Sequence, residues 1–302
     1  MKRSRTRTAL IFLSIIIAAF LIATLLLIVL SDSDKDGSFL GAFSDSGGKI
    51  GVVTMTGALT SADDILKELR KHRKKSSIKA VVLRINSPGG AVAPAQEIYR
   101  EIAATREKKP VIATIETVGA SAAYYIASNC TQVVCSKGTI TGSIGVIMML
   151  PDIHKVIEKI GVDVTVIKAG KYKDIASQVR PPTQDERAIL ENFAKEIHEQ
   201  FIQDVAEGRK GKIELDKLRS IADGSFFSGG RALELGLVDK IGNFFDAVQI
   251  AAELGGIKGE PKLVYPEKRW DGLLDMLVGS MAESFSRALD RVRTGQTAPV
   301  MY

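Results

Sequence analysis

The sequence predicts an α/β fold behind one N-terminal membrane-spanning helix. Strand-like and helix-like segments alternate from residue 49 to 256, and the strand-like segments are apolar almost throughout. An uncharged apolar run occupies 9–30. Such alternation with apolar strands implies helices layered over a largely parallel sheet. A chain of 302 residues has room for one large domain or two small ones. Composition does not break between 49 and 256, so that stretch reads as one domain.

The N-terminus comes first. Lys2, Arg3, Arg5 and Arg7 fall in residues 1–8 with no acid among them, and they supply most of the net charge of +6. The sequence pI of about 9.2 therefore reports a short basic leader and gives no argument for a nucleic-acid partner. The run at 9–30 is long enough to cross a bilayer, which takes about 20 residues. A cleaved signal peptide has a shorter apolar region, about 7–15 residues, closed by a small-x-small site. Here the run ends Ile28-Val29-Leu30-Ser31-Asp32 without such a site, so it reads as an uncleaved, single-pass anchor. Basic residues before it and Asp32, Asp34 and Asp36 after it predict a cytoplasmic N-terminus in the inner or plasma membrane. Everything beyond residue 31 is then extracytoplasmic. Residues 31–48 are polar and Gly/Ser-rich, a linker between membrane and domain.

Within 49–256 the elements follow in order. The β-rich run 49–55 is a strand. Helical spacing of Ile65, Leu66 and Leu69 gives a helix over 61–72, with Ser61 as N-cap. Residues 80–85 (AVVLRI) form a strand, 86–90 a turn and 92–105 a helix. A strand over 111–116 and a turn at Val118-Gly119 lead into a helix ending at Ser128. Strands are expected at 132–135, 143–149 and 162–167, with a helix over 153–160. A long amphipathic helix follows over 184–208. Phe226 and Phe227 are expected to be buried, 230–235 to be a helical turn, and 237–242 a strand and turn before a helix to Leu254. In the remaining segment, 257–302, Trp270, Leu273, Leu274, Leu277 and Met281 form an amphipathic helix suited to packing on the domain or a neighbour.

Cys130 and Cys135 lie in the exported part, where a disulfide is chemically permitted. The short strand between them holds their Cα atoms too far apart, so two buried free thiols are expected. Three scattered histidines without a CxxC pair give no zinc site.

Two glycine-bearing turns each follow a strand and open a helix. Ser87-Pro88-Gly89-Gly90 offers backbone amides that can hold a phosphate or an oxyanion. Alone it is equally an ordinary βα turn. Gly119-Ala120-Ser121-Ala122-Ala123-Tyr124-Tyr125 puts a serine among tiny residues at a strand-to-helix corner, the setting of an exposed nucleophile. Alone it is equally a helix N-cap. A nucleophilic serine also needs a base. His72 lies in a solvated charge run, His154 opens a helix, and His198 sits on a long polar-faced one. Lysine can replace histidine when it is held neutral. Lys168, Lys171 and Lys173 all follow the expected strand at 162–167, and spacing does not choose among them.

The ordered set SPGG (87–90), GASAAYY (119–125), TGSIGV (141–146) and KAGKYKDIAS (168–177), followed by FSGGRALELGLVDKIG (227–242), resembles the signal peptide peptidase A family. The resemblance spans about 49–256 together with the anchor, and is to the half-length form with one copy of the unit. It implies a Clp-protease/crotonase-like fold of stacked ββα units. It also implies a Ser–Lys endopeptidase without metal or cofactor, acting on remnant signal peptides and other unfolded exported chains. By the same resemblance Ser121 is the nucleophile and Lys173, directly before Asp174-Ile175, the general base. The Gly90 amide is the oxyanion donor, and Ser143 hydrogen-bonds the base. Many members have Gly-Gly after the nucleophile, where this chain has Ala122-Ala123. Half-length members form closed rings, expected here as an octamer, in which serine and lysine meet across a subunit boundary. A crotonase-like acyl-CoA enzyme and a catalytically silent membrane scaffold are the competing readings. An exported location argues against the first, and the presence of both Ser121 and Lys173 against the second.

Overall fold

The computed structural model describes residues 48–266. The basic leader, the apolar run at 9–30, the linker up to residue 47 and the expected helix from Trp270 to Met281 lie outside the described residues. Among the described residues no helix is long and apolar enough to cross a membrane.

In chain order the elements are β1 (Lys49–Thr56), α1 (Asp63–Lys74), β2 (Ile78–Ser87), α2 (Val92–Arg106), β3 (Val111–Ala120), α3 (Ala122–Ser128), β4 (Gln132–Cys135), β5 (Ile140–Gly142), α4 (His154–Lys159), α5 (Gln184–Gly208), α6 (Leu215–Ile221), β6 (Phe226–Ser228), α7 (Gly229–Glu234), β7 (Lys240–Ile241), α8 (Phe244–Leu254) and β8 (Lys262–Val264). The sheet runs β6-β5-β3-β2-β1-β8, with β4 and β7 branching from β3. All its pairs are parallel except β5 with β6.

The branch positions the site. β3 is long enough to serve two strands in series. Its first half pairs with β4, Ile112 opposite Gln132 through Ile115 opposite Cys135. Its end pairs with β5, Val118 opposite Ile140 through Ala120 opposite Gly142. A register shift between Ile85 and Ser87 of β2, with Ser87 opposite Gly119, absorbs the extra length of β3 at the fork.

Alternate residues of β2 enter two different cores, as the pleat requires. Val81, Leu83 and Ile85 pack with α1, α2 and α3, whereas Ala80 and Val82 pack under α8 against Ala247 and Ala251. Both faces of the sheet are covered, which is why its central strands are apolar at nearly every position. At the far end of α5 the fully buried Arg209 donates to both carboxylate oxygens of Asp239, at 2.7 and 3.1 Å, and to Gly236 O. Asp239 also accepts the Val133 N–H at 2.7 Å, which stitches α5 to the β4 branch. Cys130 and Cys135 are buried free thiols.

Several expectations are corrected. The turn at Val118-Gly119 is instead the end of β3, and the chain turns at Ser121. The strand over 143–149 is absent, because β5 ends at Gly142 where the backbone takes positive φ. The strand over 162–167 is absent too, and all of 161–170 is exposed. The alternation of Val162, Val164 and Val166 fits a strand, but among the described residues no sheet edge is offered to it. Phe226 is 70% exposed, and only Phe227 packs against the core. α1 starts at Asp63 after Ala62, with Ser61 Oγ accepting the Asp63 N–H at 3.1 Å. β8, which the sequence pattern does not signal, adds a strand beside β1.

His72 is a further correction. It sits in the charge run Lys71-His72-Arg73-Lys74-Lys75, yet it is fully buried with its ring against Gly51, where a Cβ would come within 2.4 Å of the ring. Burial lowers its pKa from the ordinary 6.5, outweighing the opposing effect of Glu68, whose carboxylate lies 3.7 Å away. The unfolded chain therefore binds a proton that the folded one resists. Stability is unaffected at high pH and falls as pH drops through the unfolded value, by at most about 1.4 kcal/mol per pH unit. The urea midpoint of the soluble domain should drop between about pH 7.5 and 5.5. His72→Phe, which keeps a ring against Gly51, should shrink that drop. Equal drops in both proteins would clear His72 of the effect.

Candidate active site

The ends of β3 and β5 lie side by side, and the chain leaves both in the same way. Ala120 pairs with Gly142, and the next residues, Ser121 and Ser143, are the two non-glycine residues with positive φ among the described residues, at 53° and 52°. A non-glycine residue in such a conformation costs about 1–3 kcal/mol and persists only where its surroundings hold it. Here they do. Ser121 N–H donates to Gly142 O at 2.9 Å, Ser143 N–H to Ser225 O at 2.8 Å, and Tyr125 N–H to Ser121 O at 2.9 Å. Gly119 allows the approach, since a Cβ there would come 2.5 Å from Ile115 Cγ2. The result is a serine at a sharp strand-to-helix corner, half-exposed at the head of α3.

The SPGG turn closes against this corner. At Gly89 (φ 108°) a Cβ would lie 2.8 Å from both Ala120 O and Ser121 Cβ. Gly90 bridges to Leu59 in parallel fashion: Leu59 N–H donates to Gly89 O and Ala91 N–H to Leu59 O, each at 2.8 Å. In a parallel bridge the central residue's own N–H points to the opposite side. The Gly90 amide is thereby directed away from Leu59, and Gly90, Ser121 and Ser143 line one cleft of about 520 Å³.

The rest of the cleft wall is mostly apolar. Ala95, Ala122, Tyr125 and Phe201 are buried in it. Tyr125 stacks between Tyr99 and Phe201, with ring centroids 4.8 and 5.2 Å apart. Its hydroxyl donates to Asp204 Oδ2 at 2.5 Å, and Tyr99 donates to Asp204 O at 2.7 Å. Burial, then the hydrogen bond to Asp204, pushes the Tyr125 phenol well above its ordinary range, so it stays a donor and a fixed wall. Ala122 presents a buried methyl at the cleft.

Three polar residues on this wall were not singled out from sequence as site residues, Gln96, His198 and Asp223. His198 Nε2 lies 3.2 Å from Ile144 O, a contact that requires the proton on Nε2. A signal did exist: Phe201, Ile202 and Val205 are the buried face of α5, and His198 lies one turn before Phe201 on that face.

Lys173 is not among the residues lining the cleft, and it is exposed. The structure thus brings Gly90, Ser121 and Ser143 together within one chain and leaves Lys173 apart. It does separate the three lysines from one another. Lys168 is ion-paired with Asp174. Lys171 lies 4.8 Å from the Tyr172 ring and 3.0 Å from Asp185, and Tyr172 and then Asp185 raise its pKa above the ordinary value. The environment of Lys171 favours the charged ammonium. Lys173 makes no side-chain hydrogen bond or ion pair among the described residues.

A serine hydroxyl at such a corner, beside a preorganised backbone amide and an apolar cleft, defines a site for acyl transfer by a serine hydrolase. Comparison with known proteins gives the class. Residues 103–258 match the profile of peptidase family S49, and 50–137 that of Clp protease. A candidate protease of Synechocystis is 41% identical over 211 residues, 69% of this chain and 75% of its own length. A candidate signal peptide peptidase SppA of Enterococcus faecium is 32% identical over 201 residues, 66% of this chain and 56% of that protein. The chloroplastic serine protease SPPA of Arabidopsis thaliana is 32% identical over 218 residues, 72% of this chain but 32% of that protein. The chain belongs to peptidase family S49, the signal peptide peptidase family of serine proteases, and its sheet is of the Clp-protease/crotonase type. Some of these relatives are much longer than the aligned region, the Arabidopsis protein about threefold.

Proposed function

We propose that this chain is a membrane-anchored endopeptidase that degrades remnant signal peptides and other unfolded exported chains, with Ser121 of one subunit served by Lys173 of a neighbouring copy. Ser121 attacks the peptide carbonyl, Lys173 takes its proton and returns it to the leaving amine, and the Gly90 amide receives the oxyanion. Ser143, on the twin turn beside Ser121, hydrogen-bonds the incoming lysine. A lysine base works as the free amine, so acidification switches the enzyme off.

The observation that carries the reading is the incompleteness of the site within one chain. Nucleophile, oxyanion amide and substrate cleft are assembled, while Lys173 sits outside on a projecting segment. That segment, 147–182, exposes Ile147, Met149, Ile160 and Ile167, the last at 96%. Apolar exposure on this scale marks a contact surface. Phe226 adds to it on the antiparallel edge strand β6. A closed ring of eight subunits covers both, puts the sites on an inner wall, and admits extended chains while excluding folded ones. The apolar run at 9–30 tethers the ring, with the protease domain outside the cytoplasm and residues 1–8 inside.

The soluble domain, residues 47–302, should cleave unstructured apolar peptides, and Ser121→Ala should not. A peptidyl serine trap should label Ser121 alone. Cleavage that survives Ser121→Ala rejects the site. A folded domain that neither cleaves nor labels points to the scaffold or acyl-CoA reading. His198→Gln should retain most activity, because its amide can still donate to Ile144 O. Loss equal to that of Lys173→Ala would move the base to His198.

A further inference from the structure

The segment that carries Lys173 has almost no core of its own. Residues 161–170 are all exposed, and α4 contributes no buried residue. Something other than packing must fix where Lys173 stands. One guanidinium bridges the two ends of that problem. Arg180 Nε donates to Asp174 Oδ2 at 3.0 Å and Nη2 to Asp174 O at 3.3 Å, gripping the residue next to Lys173 by side chain and backbone. Its other face donates to Glu186, Nη1 to Oε2 at 2.8 Å and Nη2 to Oε1 at 2.6 Å. Nη1 also reaches Pro181 O at 3.2 Å.

Glu186 is not a loose partner. Its side chain is 3% exposed, and it is the third residue of α5 in a reciprocal capping box. Thr183 N–H donates to Glu186 Oε2 at 2.8 Å, and Glu186 N–H donates to Thr183 Oγ1 at 3.3 Å. From there α5 runs into the core through Phe201, Ile202 and Val205. Lys168 grips the remaining oxygen of Asp174. The position of Lys173 is thus referred to the cleft wall through Asp174, Arg180, Glu186 and α5, a continuous chain of charge-assisted hydrogen bonds.

We infer that Arg180 is a positioning residue for the reaction: by clamping Asp174 to the first turn of α5 it sets where Lys173 is presented. The inference rests on the proposed role of Lys173 as base. An arginine fork holds two carboxylates and a main-chain oxygen in one fixed plane, whereas a lysine offers its donors from a single nitrogen on a flexible stem. The clamp also keeps its charges. Hydrogen bonds from Arg180 and then Lys168 hold the Asp174 carboxyl far below the usual carboxylate range, and Arg180 with the Thr183 amide lowers Glu186 to about 2.

The test compares Arg180→Met, Arg180→Lys and Asp174→Asn in the soluble assembly, with turnover expressed per Ser121 labelled by the peptidyl trap. Arg180→Met should lose about tenfold to hundredfold in kcat at nearly unchanged KM, the size expected for a misplaced catalytic group. Arg180→Lys should recover part of that loss. Asp174→Asn, which opens the clamp from its other end, should lose kcat in the same way. A merely structural role would lower the number of labelled, assembled subunits and leave kcat per labelled serine intact. The inference is overturned if Arg180→Met and Asp174→Asn both keep kcat per labelled serine within about twofold of wild type, or if Arg180→Lys recovers nothing relative to Arg180→Met. Lys173→Ala is the control for the underlying reading. If that variant is active the base is wrongly assigned, whereas an inactive Lys173→Ala beside a fully active Arg180→Met removes only the clamp.

Discussion

Ser121→Ala and Lys173→Ala should each lower kcat by at least about 10³-fold, while Lys168→Ala and Lys171→Ala keep much of the activity. The serine loss follows from the corner. Ser121 is held at φ 53° at the cleft wall by its N–H bond to Gly142 O and by the Tyr125 N–H bond to its own carbonyl, at the head of α3. The lysine loss follows from what each amine already does. Lys168 and Lys171 are engaged with Asp174 and Asp185, and Lys173 has no such partner among the described residues. Removing either member of a nucleophile–base pair should cost about as much as removing both, because they act as a unit. The double variant should therefore be no worse than either single one. Steady-state cleavage of one apolar peptide, normalised to assembled protein, checks this. Near-normal turnover by Lys173→Ala would sink the assignment.

Gly90→Ala should lose about 10²–10³-fold in kcat with a smaller change in KM. A backbone amide cannot be deleted by mutation, but it can be moved. A Cβ at Gly90 would lie 2.2 Å from Leu59 O and 2.6 Å from Leu59 N, closer than real contacts allow. The bridge must open, and the amide turns out of line with the developing oxyanion, which is stabilised only in the transition state. Gly57→Ala is the control. Gly57 also has positive φ, 75°, and precedes the same loop, but a Cβ there meets nothing within 4 Å. It carries the backbone cost without the clash, so its kcat should stay near wild type. A Gly90→Ala enzyme with wild-type kcat would remove Gly90 from the oxyanion role.

The layers of the fold were legible because local pattern and burial agree there. Residues 80–85 and 132–135 are apolar on both faces and fall in a sheet covered on both sides, and 184–208 is helical over the whole span expected. Failures occur where a local pattern depends on a distant partner. Val162, Val164 and Val166 alternate as a strand does, yet a strand needs an edge to pair with, and no described edge is offered. Phe226 looks like core and is exposed, and His72 looks like surface and is buried against Gly51. The charge of its neighbours misleads for His72, and the hydrophobicity of the side chain alone misleads for Phe226. In the site, Ser121 and Gly90 announced themselves as small-residue turns, because close backbone approach demands such residues. Ser143 and Lys173 did not. The twin turn of Ser143 arises from pairing β5 with β3, and Lys173 is one of three lysines on an exposed loop. Resemblance, not pattern, picked them out. His198 was passed over because α5 reads as polar-faced until Phe201 and Ile202 define its buried side.

On the proposed mechanism, nucleophile and base come from different copies of the chain. Ser121→Ala and Lys173→Ala subunits, each inactive alone, should regain a fraction of wild-type activity when co-assembled. Some interfaces in the mixture then join an intact Ser121 to an intact Lys173. At random equal mixing about a quarter of the interfaces should be competent. A mixed oligomer that stays inactive despite verified co-assembly, or an active soluble domain that is monomeric by light scattering, would contradict the shared site.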